Sequence, residues 1–244
     1  MNPKIALIDG FPCSTHERVT VYHHPKITYS WDSDFFGVPE FRRHADKMIG
    51  VIKAENANTD ILVFPFYPKH ESNTKNLALL AKNIEQAIEH QCTIICICLE
   101  VVKGKSLPHV LSRVYKKAKG NGIIVCVSAG NDAPFLNPLI DKKYTIPIIG
   151  TAIDGKIPDH LKIKSTTPVF GFSVFGGTDE KPDRINCSIA TARFCGYLST
   201  KMDLLEASPN NNSFKHIVAT LQDELIVVLN GLYHIPKVQV QASF

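Results

Sequence analysis

The sequence predicts an α/β fold, a three-layer α/β/α sandwich with a mostly parallel central sheet. Short, continuous apolar runs alternate with longer segments in which apolar residues recur every three or four positions. The first pattern is typical of strands buried on both faces, and the second of amphipathic helices. Because 44% of the 244 residues are hydrophobic, the chain can bury a substantial core. We therefore expect a single domain over residues 1–244, with a sheet of about six or seven strands.

The individual elements follow from these patterns in chain order. Apolar runs predict strands at residues 4–9, 60–66, 93–99, 123–128, 146–153 and 169–174, with a candidate edge strand at 237–240. Helical periodicity predicts helices at residues 44–54, 77–89, 108–119, 189–199 and 213–229, the last with Ser213 as its N-cap. Residues 11–43 have the composition of a loop. In such sheets the active site forms beyond the carboxyl ends of the strands.

Composition and charge exclude several classes of function. A net charge of +4, with 20% charged residues and scattered lysines, falls short of the basic bias of a nucleic-acid-binding protein. No apolar stretch approaches the ~20 residues that cross a bilayer, and no apolar signal segment precedes the first strand. We therefore expect no nucleic-acid partner, no membrane span and a cytoplasmic location.

The seven cysteines are consistent with that location. Their number is odd and several lie within apolar runs, which indicates buried thiols in a reducing compartment and not a disulfide framework. Cys96 and Cys98 are two residues apart, so on a strand they would share one face. They are better explained as small core residues than as a metal site, because no second pair stands at a suitable spacing. No dense carboxylate cluster suggests calcium. We expect no metal and no cofactor.

Four residues near the ends of elements carry the groups that a serine nucleophile needs. Asp9 ends the first strand, His44 opens a helix, Asn131 follows a strand, and Ser188 enters a helix. A serine hydroxyl needs an imidazole to accept its proton, and a carboxylate to orient and stabilise that imidazole. An amide donor can then stabilise the oxyanion that forms on the substrate. These four residues supply all four parts.

Each of the four also has an ordinary structural alternative. Asp9 precedes a glycine and could be a turn residue, Ser188 could be a helix N-cap, and Asn131 could belong to a turn. His44 is one of ten histidines. Two other histidines are competing candidates, but they lie in loop-like sequence. These are His23 and His24. The combination of four suitable residue types at suitable element ends favours the catalytic interpretation.

In chain order, these segments resemble the subtilisin-like serine proteases over about residues 4–200. Residues 4–9 resemble the family's first strand, which ends in the catalytic aspartate, and residues 44–50 resemble its His-Gly-Thr-His-Val-Ala-Gly helix start. Residues 122–131 are similar to the strand that ends in Ala-Ala-Gly-Asn. Residues 186–196 are similar to Gly-Thr-Ser-Met-Ala-Thr-Pro-His-Val-Ala-Gly. The resemblance implies a serine endopeptidase whose triad is Asp9, His44 and Ser188, with the Asn131 side chain and the Ser188 N–H in the oxyanion hole.

The departures from the family pattern concern the substrate cleft more than the chemistry. Ala45 replaces a glycine, Asn186 and Cys187 replace the Gly-Thr before the serine, and Ala192 replaces a proline. Glu100 stands where a small residue would line the substrate channel. It is either a solvated edge residue or a determinant for a basic substrate side chain.

The resemblance also implies a peptide or protein substrate that binds beside Leu99, Glu100, Val101 and Gly130 and pairs with the backbone as an added strand. Processing of one peptide precursor is the specialised role we expect. The alternative is a catalytically impaired pseudoprotease that binds peptides or assembles with a partner. A nucleotide-binding domain and an α/β-hydrolase are disfavoured, because the chain has no glycine-rich phosphate loop and no GxSxG elbow. The sequence does not fix the oligomeric state.

Overall fold

The computed structural model describes residues 3–22, 39–66, 73–100, 109–131, 137–161, 171–178, 181–206, 214–229 and 232–235. The strands are β1 (Lys4–Asp9), β2 (Val19–Val21), β3 (Asp60–Pro65), β4 (Ile94–Ile97), β5 (Ile124–Ser128), β6 (Ile146–Thr151), β7 (Gly171–Phe175), β8 (Ile226–Leu229) and β9 (Leu232–Ile235). The helices are α1 (Pro39–Glu55), α2 (Asn73–Glu89), α3 (His109–Gly120), α4 (Cys187–Ser199), α5 (Met202–Glu206) and α6 (Phe214–Thr220).

The strands of the described residues form one sheet, in the order β2-β3-β1-β4-β5-β6-β7-β9-β8. Neighbouring strands are parallel, except for the antiparallel pair of β8 and β9. This confirms the predicted α/β fold with its mostly parallel sheet, although the sheet is wider than expected because β2, β8 and β9 join it. The carboxyl ends of β1, β4 and β5 lie along one edge, where a site can form.

The central strands are apolar on both faces because helices cover both faces of the sheet. Along β1, Ile5 and Leu7 face the core under α1 and α4, whereas Ala6 and Ile8 face the core under α2 and α3. Successive side chains of a strand point to opposite faces, so one apolar run fills two cores. All four side chains are fully buried. The predicted three-layer sandwich is therefore confirmed.

Two helix predictions need correction. Helix α1 begins at Pro39, so His44 lies in its second turn and does not open the helix. The predicted helix over 213–229 is wrong in its second half, since α6 ends at Thr220 and Ile226–Leu229 is β8. The apolar and largely β-branched residues of that segment favour a strand, and β9 supplies its antiparallel partner. The predicted N-cap Ser213 and the edge strand at 237–240 lie outside the described residues.

The cysteines have the predicted character. All seven are free and six of them are buried. Cys96 and Cys98 share the core on the α1 and α4 side, and their Sγ atoms are 3.4 Å apart. In the described ranges, no three His, Cys, Asp or Glu side chains are grouped so that they could hold a metal ion. None of the described helices is both long enough and apolar enough to span a bilayer.

Candidate active site

The carboxyl end of β1 holds a buried carboxylate against an imidazole. Asp9 is the last residue of β1 and is fully buried. His44 Nδ1 lies 2.9 Å from both Asp9 carboxylate oxygens, and the Gly10 N–H donates to Asp9 Oδ1 at 2.6 Å. Because an ionised carboxylate only accepts hydrogen bonds, Nδ1 must carry the proton. The other ring nitrogen, Nε2, then keeps the lone pair that a general base needs.

The same contact sets the protonation of His44. Burial of the ring lowers the pKa of His44, but the charge of Asp9 and its hydrogen bond outweigh burial and hold the pKa above its ordinary value of 6.5. A raised pKa makes the imidazole a stronger base. Asp9 and His44 can therefore take a proton from a neighbouring hydroxyl and stabilise the imidazolium that results.

Ser188 is the second residue of α4, and the N-cap of this helix is Asn186. This removes the N-cap alternative for Ser188. The Ser188 side chain is buried, and its Oγ donates to the Cys98 carbonyl at 2.8 Å. In this rotamer the hydroxyl bonds to Cys98 and not to His44. The described structure thus joins Asp9 to His44 directly, whereas no hydrogen bond joins the described side chains of His44 and Ser188.

Asn131 contacts the start of α4 through its side-chain carbonyl. The Cys187 N–H donates to Asn131 Oδ1 at 2.9 Å. A carboxamide has its donor and its acceptor on opposite branches, so this bond turns the Nδ2 group away from the helix backbone. No acceptor for Nδ2 is found among the residues that the structure describes. Asn131 therefore presents an amide donor near the N-terminal turn that carries Ser188.

Asn186 satisfies the next two amides of the same helix. Its Oδ1 accepts from the Ser188 N–H at 2.7 Å and from the Ile189 N–H at 3.3 Å. The Ser188 N–H is the second oxyanion donor that the resemblance implies, and in this structure it is occupied. In the sequence, Asn186 stands out only as a departure from the family pattern. Asparagine directly before a helix is a common N-cap, and that was the available signal.

A buried asparagine holds the ends of two strands together. Asn137 Nδ2 donates to the Leu99 carbonyl at 2.7 Å and to the Ser128 carbonyl at 2.9 Å. It therefore ties the segment after β4 to the last residue of β5. Asn137 could not be singled out in the sequence, because a single polar residue in a loop leaves no periodic pattern. By fixing the Leu99 and Ser128 carbonyls, Asn137 acts as a positioning residue for the segments that carry Glu100 and Asn131.

The predicted substrate-binding residues lie around these strand ends. The Leu99 side chain is buried in the core, so only its backbone could contact a substrate. Glu100 is exposed, and its Oε2 accepts from the Asn131 N–H at 3.1 Å. Gly130 has a φ of +104°, a conformation that glycine adopts without strain. Val101 lies outside the described residues.

Cys187 is a packed thiol beside the serine. It is buried, and its Sγ accepts from the Gly150 N–H at 3.3 Å. Burial raises the pKa of Cys187 to about 12. Because the thiolate is the nucleophilic form of cysteine, this environment favours a structural role for Cys187.

Helices α1 and α4, which carry His44 and Ser188, pack tightly against each other. Arg193 of α4 forms an ion pair of 2.7 Å with Glu55 at the end of α1. Arg193 Nε also donates to the Phe175 carbonyl at 3.1 Å. At Gly196 a Cβ atom would lie 2.7 Å from the Ile52 carbonyl oxygen, so only glycine allows this approach. The contact fixes the position of the serine helix relative to the histidine helix.

No family model and no curated protein sequence matches the chain. Solved structures do match its fold. The patellamide maturation protease PatA is 18% identical with a TM-score of 0.68, covering 94% of this chain and 89% of PatA. A lanthipeptide protease is 14% identical with a TM-score of 0.66, covering 96% of this chain and 85% of that one.

The PatG macrocyclase in complex with peptide is also similar, at 17% identity and a TM-score of 0.60, with 93% of this chain and 84% of that chain covered. All three similarities extend over most of both chains, so they concern the whole architecture and not one motif. The strand order and the layers described above therefore have solved counterparts. The chain has the fold of the subtilisin-like protease domains.

Proposed function

We propose that this chain is a serine endopeptidase, a single peptidase domain that processes peptide precursors. The observation that carries the proposal is the contact of both Asp9 carboxylate oxygens with His44 Nδ1. A fully buried carboxylate is costly unless it is paired and hydrogen-bonded. Here its partner is an imidazole whose second nitrogen keeps a lone pair, which is the arrangement of a general base.

The chemistry follows from these positions. Asp9 orients His44, and His44 Nε2 takes the proton of Ser188 Oγ as that oxygen bonds to the substrate carbonyl carbon. Asn131 Nδ2 and the Ser188 N–H stabilise the negative charge on the carbonyl oxygen. His44 then gives its proton to the departing amine, and the peptide bond breaks. A water molecule, deprotonated by His44 in turn, then attacks the acyl carbon, and His44 returns the proton to Ser188 Oγ as the ester bond breaks.

Two local rearrangements precede this reaction. The Ser188 hydroxyl must leave the Cys98 carbonyl, and the Asn186 side chain must leave the Ser188 N–H. In the proposed reaction each change is a rotation of one side chain. The entering substrate supplies the acceptor that replaces Asn186, since its carbonyl oxygen bonds to the same N–H.

The structural neighbours support a peptide substrate. PatA is a maturation protease for patellamide, and another neighbour is a protease for lanthipeptides. The PatG macrocyclase was solved with a bound peptide. For this chain we propose an extended peptide that pairs with backbone near Leu99 and Glu100. We also propose a cytoplasmic location, which the buried free thiols support.

The proposal is tested by labelling the full chain with a fluorophosphonate probe and measuring the intact mass. We expect one adduct on the wild-type chain and none on Ser188→Ala. Ser199→Ala, at the other end of α4, is the matched control and should still be labelled. Thermal unfolding shows whether each variant is folded. A folded wild-type chain without an adduct, or an adduct that persists in Ser188→Ala, contradicts the proposal.

One observation favours a peptide-binding pseudoprotease as the second candidate. The hydroxyl and the N–H of Ser188 are both engaged elsewhere, the Oγ with Cys98 and the N–H with Asn186. A site that had lost its chemistry could keep these bonds permanently. The labelling experiment separates the two candidates, since a folded chain that binds peptides and never takes the probe fits only the pseudoprotease.

Replacing Asn186 with glycine should make the proposed enzyme faster. An asparagine N-cap contributes about 0.5–2 kcal/mol, and the substrate must displace this contact to reach the Ser188 N–H. Removing the side chain should therefore raise kcat/KM by about 2- to 30-fold. Glycine is itself an acceptable N-cap and costs only a few tenths of a kcal/mol, so the unfolding temperature should hardly change. A lower kcat/KM in folded Asn186→Gly would show that the side chain assists the reaction.

A further inference from the structure

We propose that Glu100 selects a basic residue, lysine or arginine, at the position whose carbonyl Ser188 attacks. The inference rests on the proposed peptidase function and adds the substrate class. The observation behind it is the position of the Glu100 carboxylate at the edge of the candidate active site. Glu100 follows β4, and its side chain crosses to the chain segment that follows β5.

The Glu100 carboxylate lies against the backbone of two site residues. Its Oε2 accepts from the Asn131 N–H at 3.1 Å. Its Oε1 would lie only 3.2 Å from a Cβ atom at Gly130. A side chain at position 130 would therefore push the carboxylate away, and the positive φ of Gly130 disfavours one there as well. Glycine at 130 keeps this space for the Glu100 carboxylate.

The Glu100 carboxylate and the proposed oxyanion donor meet at one residue, Asn131. Asn131 offers Nδ2 to the substrate carbonyl oxygen and its backbone N–H to Glu100. In any peptide, the side chain next to that carbonyl branches from a Cα only one bond from the carbonyl carbon. A long side chain at this position can therefore extend along Asn131 and Gly130 toward the carboxylate.

The charge of Glu100 has no cationic partner among the residues that the structure describes. The ion pairs found in the described ranges use other carboxylates, and none brings a lysine or arginine to Glu100. One oxygen accepts from a backbone amide, and a carboxylate can accept several hydrogen bonds at once. A positively charged donor from the substrate would form a charge-assisted hydrogen bond with the same carboxylate. As the substrate covers the site, water leaves and the attraction becomes stronger.

The first experiment gives the full chain a library of random peptides, with the cut sites identified by mass spectrometry. We expect cuts after lysine or arginine about 10 to 100 times as often as after uncharged residues. A matched peptide pair sharpens this test. The library sequence that is cleaved fastest is synthesised twice, once with lysine and once with acetyl-lysine before the cut. Acetylation removes the charge and keeps the long side chain.

Glu100→Gln separates recognition of charge from support of Asn131. Glutamine keeps an oxygen that can accept from the Asn131 N–H, but it carries no charge. We expect kcat/KM for the lysine peptide to fall about 10- to 100-fold, to the value of the acetyl-lysine peptide, which itself should hardly change. Asp203→Asn is the matched control, because it removes one exposed negative charge in α5, beyond the far end of the serine helix.

Two results overturn the inference. One is equal cleavage of the lysine and acetyl-lysine peptides by the wild-type chain. The other is an equal loss on both peptides in Glu100→Gln, which would mean that the residue only supports Asn131. Failure of the peptidase proposal is recognised separately, by the absence of fluorophosphonate labelling. In that case, binding of the same two peptides to Ser188→Ala is compared, and equal affinities overturn the inference.

Discussion

Replacing Asp9 with asparagine is expected to lower kcat about ten-thousandfold. The substitution keeps the size of the side chain, but the neutral amide cannot hold His44 as the carboxylate does. Its NH2 group can turn toward Nδ1 and favour the tautomer whose proton sits on Nε2, which then cannot accept the serine proton. The imidazolium also loses the charge that stabilises it. The measurement is kcat on a peptide that the wild-type chain cleaves.

The pH profile of the same variant provides a diagnostic. In the wild-type chain the rate should fall as the pH drops through the raised pKa of His44, because the imidazolium cannot act as a base. Without the Asp9 charge that raises this pKa, the acid limb should move to lower pH. Asp60→Asn is the matched control, since Asp60 lies on β3 opposite Lys4, at the other end of β1 from Asp9. An activity of Asp9→Asn within tenfold of the wild type would exclude Asp9 from the triad.

Replacing Asn131 with leucine should reduce kcat about a hundred- to a thousandfold. The side chain is similar in size, but it has no N–H to offer to the oxyanion. Because the charge on the carbonyl oxygen develops only in the transition state, kcat should fall while KM changes little. Steady-state kinetics with the same peptide measures both constants.

Leucine also removes the acceptor of the Cys187 N–H, and this second loss needs a control. Asn131→Asp keeps an oxygen for Cys187 and removes only the donor. We expect Asn131→Asp to unfold near the wild-type temperature and still to lose at least as much kcat as Asn131→Leu, because its charge repels the oxyanion. A fully active Asn131→Asp would place the oxyanion elsewhere.

The sequence predicts the sheet, its layers and the strand end where Asp9 stands, although α1 begins at Pro39 and not at His44. This succeeds because a parallel strand covered on both faces must be apolar along its length, and the pattern is local. Asp9 interrupts such a run at its last position, so it was visible as a candidate. The β8 strand was not predicted, since its apolar residues fit a helix until the antiparallel partner β9 is known.

The hydrogen bonds of the site could not be predicted in the same way. The Ser188 Oγ contact with Cys98 and the Asn137 contacts with Leu99 and Ser128 join residues far apart in the chain. Each depends on a rotamer and on the distance between elements, and neither leaves a pattern in the sequence. Glu100 was visible as an unusual residue, but only its place against Gly130 and Asn131 gives the carboxylate a role.

The packing of α4 against α1 has a consequence for how the proposed protease is made. A ribosome releases the N-terminal residues first, so Asp9 and His44 emerge long before Ser188. The serine reaches its place only when α4 docks, with Arg193 bonded to Glu55 of α1 and to the Phe175 carbonyl of β7. Under the proposed function, a nascent chain would therefore hold the base before the nucleophile. It would become able to cut only once most of its own backbone is folded.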